Sequence, residues 1–169
     1  WGKHSGCNQY SEGFRGLIQT MAAPREVTLF IPCIVDAVYP EVGEAVVTLL
    51  SHLGMSLRYP VDQTCCGQPA YNSGYLGEAR VAARHFIEVF EDAGDIVSPS
   101  GSCVHMIRHH YPRLFPHDPR WLDRARAVAA RTYELTEYLV DVLGLSTTGA
   151  RLNGRVTYHD SCHLLRGLR

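Results

Sequence analysis

The chain has 169 residues, enough for one compact domain or for one domain and the beginning of another. Sixteen Lys and Arg stand against 17 Asp and Glu for a net charge of −1, which excludes a strongly basic face for a nucleic acid or an anionic membrane. Apolar residues make up 46%, enough for a core, yet no apolar run approaches the roughly 18 residues of a membrane span. The opening residues lack the apolar segment of a secretory signal, so a cytoplasmic location is expected.

In chain order, residues 1–20 are polar and glycine-rich with no period, and read as a disordered or vector-derived tail, with Met21 as a natural start. Residues 27–32 (VTLFIP) are continuously apolar and β-branched, which predicts a buried strand. Val42, Ala45, Val46, Leu49, Leu50 and Leu53 recur at spacings of three and four, predicting a helix over 40–53 that stops at Gly54. A short strand over 55–60 comes next. The helical period returns through Ala79, Ala82, Ala83, Phe86, Val89 and Phe90, so 75–93 is expected to be a helix. Then come a strand at 95–99, a helix over 103–115 and a long helical region over 120–143, bent near Thr132. Residues 155–159 (RVTYH) read as a fourth strand, and Ser161 opens a further helix. Short strands separated by helices make βαβ units, so the expected class is α/β: a parallel sheet flanked by helices, Rossmann-like in its units. Neither Gly-x-Gly-x-x-Gly nor a P-loop pattern occurs.

Six cysteines and nine histidines stand out. A disulfide framework needs an oxidising compartment and chiefly serves small domains, and vicinal cysteines bridge only through a strained ring. Mapping is more informative than counting. Cys33 follows the first predicted strand, Cys65 and Cys66 the second, Cys103 the third and Cys162 the fourth, while Cys7 lies in the tail. Carboxyl ends of parallel strands share one edge, where ligands bind. Buried cysteines acting as small hydrophobes would instead fall inside strands or on helix faces. Thiolates from distant loops suit zinc or an iron–sulfur cluster. Adjacent cysteines bite poorly on one tetrahedral ion but can bind different irons of a cluster, which favours the cluster and leaves zinc as the alternative.

The order Cys33, a 31-residue spacer, Cys65-Cys66-Gly67, then Ser100-Gly101-Ser102-Cys103 resembles the cysteine-rich CCG domain. Domains of that kind occur in heterodisulfide reductases, glycolate oxidase iron–sulfur subunits and the lactate-utilization protein A family. The stretches CIVDAVYPEVG (33–43), QTCCGQPAYNSG (63–74), PSGSC (99–103) and YHDSCH (158–163) are most similar to the last of these. The resemblance implies a 4Fe-4S cluster held by Cys33, Cys65, Cys66 and Cys103, with Gly67 and Ser100 beside it. It further implies electron transfer within a complex that oxidises L-lactate to pyruvate, with other subunits as partners. A glycolate oxidase or heterodisulfide reductase-like subunit, and a zinc-stabilised assembly module without redox chemistry, are the alternatives. Ser100 stands where the family closes with a cysteine, leaving four thiolates rather than five. Residues 21–150 correspond to a first CCG domain and 151–169 to the start of a second, with Cys162 as its opening ligand.

Smaller groups allow sharp and bland readings. His159 and His163 flank Cys162, and His105 and His109 lie one helical turn apart. Either zinc ligation or a Cys162–His163 nucleophile pair is conceivable, but surface histidines with Asp160 or Ser161 capping a helix is the plainer reading. The turn at 98–102 either cradles an anion or brings backbone close to a cluster. Tyr71, Asn72 and Tyr75 line a pocket or order a loop. Arg108, His109, His110 and Arg113 are expected on a solvated helix face.

Overall fold

The computed structural model describes residues 25–159 and 161–168; the tail reading, with Cys7, and Asp160 lie outside them. Four parallel strands form one sheet: β1 (Glu26–Leu29), β2 (Ser56–Arg58), β3 (Asp95–Ser98) and β4 (Thr132–Glu134), in the order β2-β1-β3-β4. The α/β class expected from the sequence is therefore the observed one. Between β1 and β2 lie helices α1 (Cys33–Val38) and α2 (Pro40–His52), and between β2 and β3 lie α3 (Gln68–Asn72) and α4 (Leu76–Phe90). After β3, helix α5 (Gly101–His105) continues through a π-helical turn (Met106–His110) into α6 (Tyr111–Leu114). Helix α7 (Pro119–Ala129) leads to β4. Helix α8 (Leu135–Glu137) runs into a second π-helical turn (Tyr138–Val142), and α9 (Cys162–Gly167) ends the described chain.

Alternation along the strands builds two cores. Phe30 and Ile96 face one side, packing with Ala79, Ala83, Phe86 and Phe90 of α4, Met106, Ile107 and Tyr111, and Ala125 and Val128 of α7. Val27, Leu29, Ile31 and Val97 face the other side, against Val35, Val46, Leu50, Tyr138 and Leu139. Phe30 meets Phe86 edge-on at 4.9 Å, and Phe86 stacks on Phe90 at 4.3 Å. The fully covered sheet explains why β1 and β3 read as continuous apolar runs.

Two sequence expectations are corrected. Residues 155–159 form no strand: Val156 and Tyr158 are exposed, and β4 lies instead at Thr132–Glu134, inside the stretch expected to be a bent helix. Thr132 ends the preceding helix by donating its hydroxyl to the Val128 carbonyl at 2.8 Å, and the next residues pair with β3. Consequently Cys162 follows no strand. Among the described residues, no helix is long and apolar enough to cross a membrane.

Candidate metal centre

Strand order reverses between β1 and β3. The chain leaves β1 toward β2 on one side and returns to β3 on the other, leaving a crevice at their carboxyl ends. Cys33 opens α1 just beyond β1, and Cys103 is the third residue of α5, just beyond β3, so the two flank this crevice. The loop after β2 brings Cys65 and Cys66 beside them.

Gln63 fastens that loop. Its side-chain oxygen accepts from the Ile31 N–H at 2.8 Å, while its amide nitrogen donates to the carbonyls of Pro60 (2.9 Å) and Leu29 (3.3 Å). On the far side of the cysteine pair, Gln68 donates to the Ser102 carbonyl at 3.1 Å and so joins the loop to the turn carrying Cys103. From beneath, the fully buried Tyr111 donates its hydroxyl to the Cys66 carbonyl at 3.0 Å. Gly67 turns the chain with φ +79°, and a Cβ there would come within 2.9 Å of the Ala82 Cβ, so both conformation and space call for glycine. The Gly67 N–H points to Cys65 Sγ at 3.5 Å.

Four thiols interact in series. The Cys33 thiol donates to Cys65, and the single Cys66 proton is directed at both Cys65 and Cys103. Hydrogen bonds from Cys66, the Gly67 N–H and Cys33 pull Cys65 down to about 5, with the Cys66 bond the largest and burial opposing them. Cys103 is also lowered, first by Cys66 and then, against its own burial, by the hydroxyls of Ser100 and Ser102. Cys66 moves strongly upward because it donates to Cys103 and Cys65 and is buried. Cys33 moves up through burial and its bond to Cys65. The shifts therefore alternate along the series, with Cys65 and Cys103 lowered and Cys33 and Cys66 raised. Thiolate is the form that binds soft metals.

All five described cysteines are free: Cys66 (2% exposed) and Cys103 (7%) are buried, Cys65 is half-buried, and Cys33 and Cys162 are exposed. Among the described residues, no group of three or more His, Cys, Asp or Glu side chains is placed to hold a single metal ion. The donor set, four sulfurs from three loops at one edge with Cys65 and Cys103 both lowered, is of a chemistry that suits an iron–sulfur cluster.

Cys162 stands apart from the series, at the start of α9, which packs on α5. Ser161 caps this helix by accepting from the Leu164 N–H at 3.3 Å, in line with the plainer reading of that stretch. The histidines gather around His105, whose ring lies 4.8 Å from His109 and 5.0 Å from both His110 and His163. Tyr71 packs against His110 at 4.4 Å. Arg108 departs from the expected solvated face: it pairs with Glu137 at 2.8 Å and lies over the Tyr133 ring. Sequence reasoning did not single out Gln63, Gln68 or Tyr111 as residues that hold the site, because each acts on a partner more than thirty residues away.

Residues 27–108 match the family of the cysteine-rich CCG domain, the span that contains all four linked thiols. The chain carries a CCG domain. It is also 54% identical over 142 residues to lactate utilization protein A of Exiguobacterium sp. (strain ATCC BAA-1283 / AT1b), covering 83% of this chain and 58% of that protein. Proteins of the same name from Geobacillus kaustophilus (52% over 141 residues; 83% and 59%) and Anoxybacillus flavithermus (54% over 140; 83% and 58%) are similar to the same extent. The chain thus spans less than two thirds of the length of these relatives. No solved structure matches it.

Proposed function

We propose that this CCG domain holds an iron–sulfur cluster through Cys33, Cys65, Cys66 and Cys103 and acts as an electron-transfer unit in lactate utilization. The observation that carries this reading is the linked series of four thiols at the β1/β3 crevice, with thiolate favoured at Cys65 and Cys103. Similarity to lactate utilization protein A over 83% of the chain supplies the metabolic setting. A four-iron cluster bound there would accept and pass on single electrons. The protein's part is to supply two buried sulfurs and two more open ones, fixed by Gln63, Gln68 and Tyr111 so that the ligands move little. Cys33, exposed on α1, marks the side on which a redox partner can approach.

In this reading, residues 21–150 are the first CCG unit and 151–169 begin the second, where Cys162 is the opening ligand. Oxidation of L-lactate to pyruvate would take place on other subunits of a cytoplasmic complex, from which this unit receives electrons and passes them on. Anaerobic reconstitution with iron and sulfide, followed by metal analysis and EPR, tests the proposal. The expected result is iron with acid-labile sulfide and a reducible cluster signal, both lost in Cys65→Ser and in Cys66→Ser. Zinc without iron or sulfide would establish a zinc-stabilised module instead.

A further inference from the structure

Residues 26–57, from β1 through α1 and α2 into β2, contain four carboxylates, Glu26, Asp36, Glu41 and Glu44, and neither Lys nor Arg, in a chain whose charges otherwise nearly balance. Asp36, Glu41 and Glu44 are exposed on α1 and α2. Among the described residues none of these three has an ion pair, whereas carboxylates elsewhere do: Glu91 with Arg124 at 2.6 Å, Glu137 with Arg108 at 2.8 Å and Asp95 with Arg25 at 3.3 Å. The first turn of a helix favours Asp36 and Glu41 where they stand, but accounts neither for Glu44 nor for the exclusion of every cation.

The same helices carry large apolar side chains on their solvent side. Ile34, Val38 and Tyr39 are each more than half exposed, with Ile34 and Val38 one helical turn apart. The Tyr39 carbonyl accepts from the Val42 N–H at 2.9 Å, so the exposed Val42 follows one turn further on. Gly43 lets α2 close on α1: a Cβ there would lie 3.5 Å from Ile31 Cγ2 and 3.9 Å from Val35 Cγ1. Cys33, exposed and the first residue of α1, adjoins this surface. An apolar patch rimmed by charges of one sign suits a partner of the opposite sign. Carboxylates repel an anionic lipid surface and a nucleic acid, which leaves a protein face.

We infer that the α1–α2 face beside Cys33 is a docking surface for a redox protein that presents Lys and Arg around an apolar centre. The carboxylates steer and orient the encounter, and the apolar centre supplies the close contact. That the partner is a redox protein rests on the iron–sulfur reading; the docking surface itself does not.

The probe is cytochrome c, a basic redox protein whose lysines surround an exposed haem edge. Calorimetry of the anaerobic, metal-free full chain with reduced cytochrome c is expected to show binding that weakens about tenfold between about 10 mM and about 150 mM salt. At low salt, Asp36→Asn/Glu41→Gln/Glu44→Gln should bind about tenfold more weakly than the parent. Glu88→Gln/Asp92→Asn/Asp123→Asn, which removes the same charge from exposed positions on and beside α4 and α7, should bind like the parent. Ile34→Ser/Val38→Ser should weaken binding and leave its salt slope unchanged. In the reconstituted protein one electron passes from the reduced cluster to ferric haem, which becomes ferrous, and its rate should follow the same pattern across the variants. Equal weakening in both triple variants would reduce the effect to net charge and overturn the inference. So would absence of binding by the parent, or a salt-sensitive dimer in sedimentation that the first triple variant abolishes, since a second copy would then be the occupant. Should the parent take up no iron and sulfide, the proposed function falls, and calorimetry still decides the docking surface.

Discussion

Cys65 carries the lowest thiol because its sulfur receives hydrogen bonds from Cys66, Gly67 and Cys33, whereas its neighbour Cys66 gives its proton away and is buried. Above its value of about 5, Cys65 is an anion at pH values where an ordinary thiol is neutral. In metal-free protein, iodoacetamide at about pH 6 should therefore label Cys65 first and leave Cys66 unlabelled, as read by peptide mass. Preferential labelling of the exposed Cys162 under those conditions would contradict the thiol series. The cysteines and Gly67 were legible in the sequence because the spacing of a ligand loop is local and its residue types are rare. The residues that hold them were not. Nothing adjacent to Tyr111 marks it as the donor to a carbonyl 45 positions earlier, and Gln63 looks like any loop glutamine until β1 lies next to it.

Among the elements, the periods of three and four placed the two longest helices to within a few residues, because their apolar faces meet one sheet continuously. Strand β4 escaped the same reasoning. It has only three residues, and its reason for being a strand is its register with Ile96, Val97 and Ser98 rather than any property of Thr-Tyr-Glu. The reverse holds for residues 155–159, which have strand-like composition but form no strand. A reciprocal cap fixes the start of α8: the Glu134 carboxylate accepts from the Thr136 N–H at 2.7 Å and the Glu137 N–H at 3.3 Å, while Glu137 accepts from the Glu134 N–H at 3.2 Å. Glu137 also anchors Arg108, so this cap ties β4 to the helical run that holds Cys103. Glu134→Ala should lower stability by about 1 kcal/mol in urea unfolding. An unchanged midpoint would show that the cap contributes nothing.

For the whole molecule, the four clustered imidazoles couple the docking of α9 to acidity. Burial, then His109, His110, His163 and Arg113, hold His105 down at about 4, and His110 is lowered by burial, Arg113, His109 and His163. Between about 4 and about 6.5 the unfolded chain therefore binds protons that the folded chain refuses. The stability from this source is complete above about pH 6.5 and is lost as pH falls toward 4. Urea midpoints should drop from about pH 7 to about pH 4.5, and His105→Gln should flatten that drop. An identical slope in the variant would remove the imidazole explanation. The sequence showed the histidines one turn apart on a helix; only the packing of α9 against α5 brings His163 into the group.

The π-helical turn at Met106–His110 sets the angular phase of everything after it. Because an α-helix advances about 100° per residue, a chain one residue shorter in that turn would swing Tyr111 about a quarter of the way round the axis, off the Cys66 carbonyl and away from Phe86. A widened turn in a buried helix thus works as a timing element: it fixes which side chain arrives beneath the vicinal cysteines, and makes chain length at that point matter as much as residue identity.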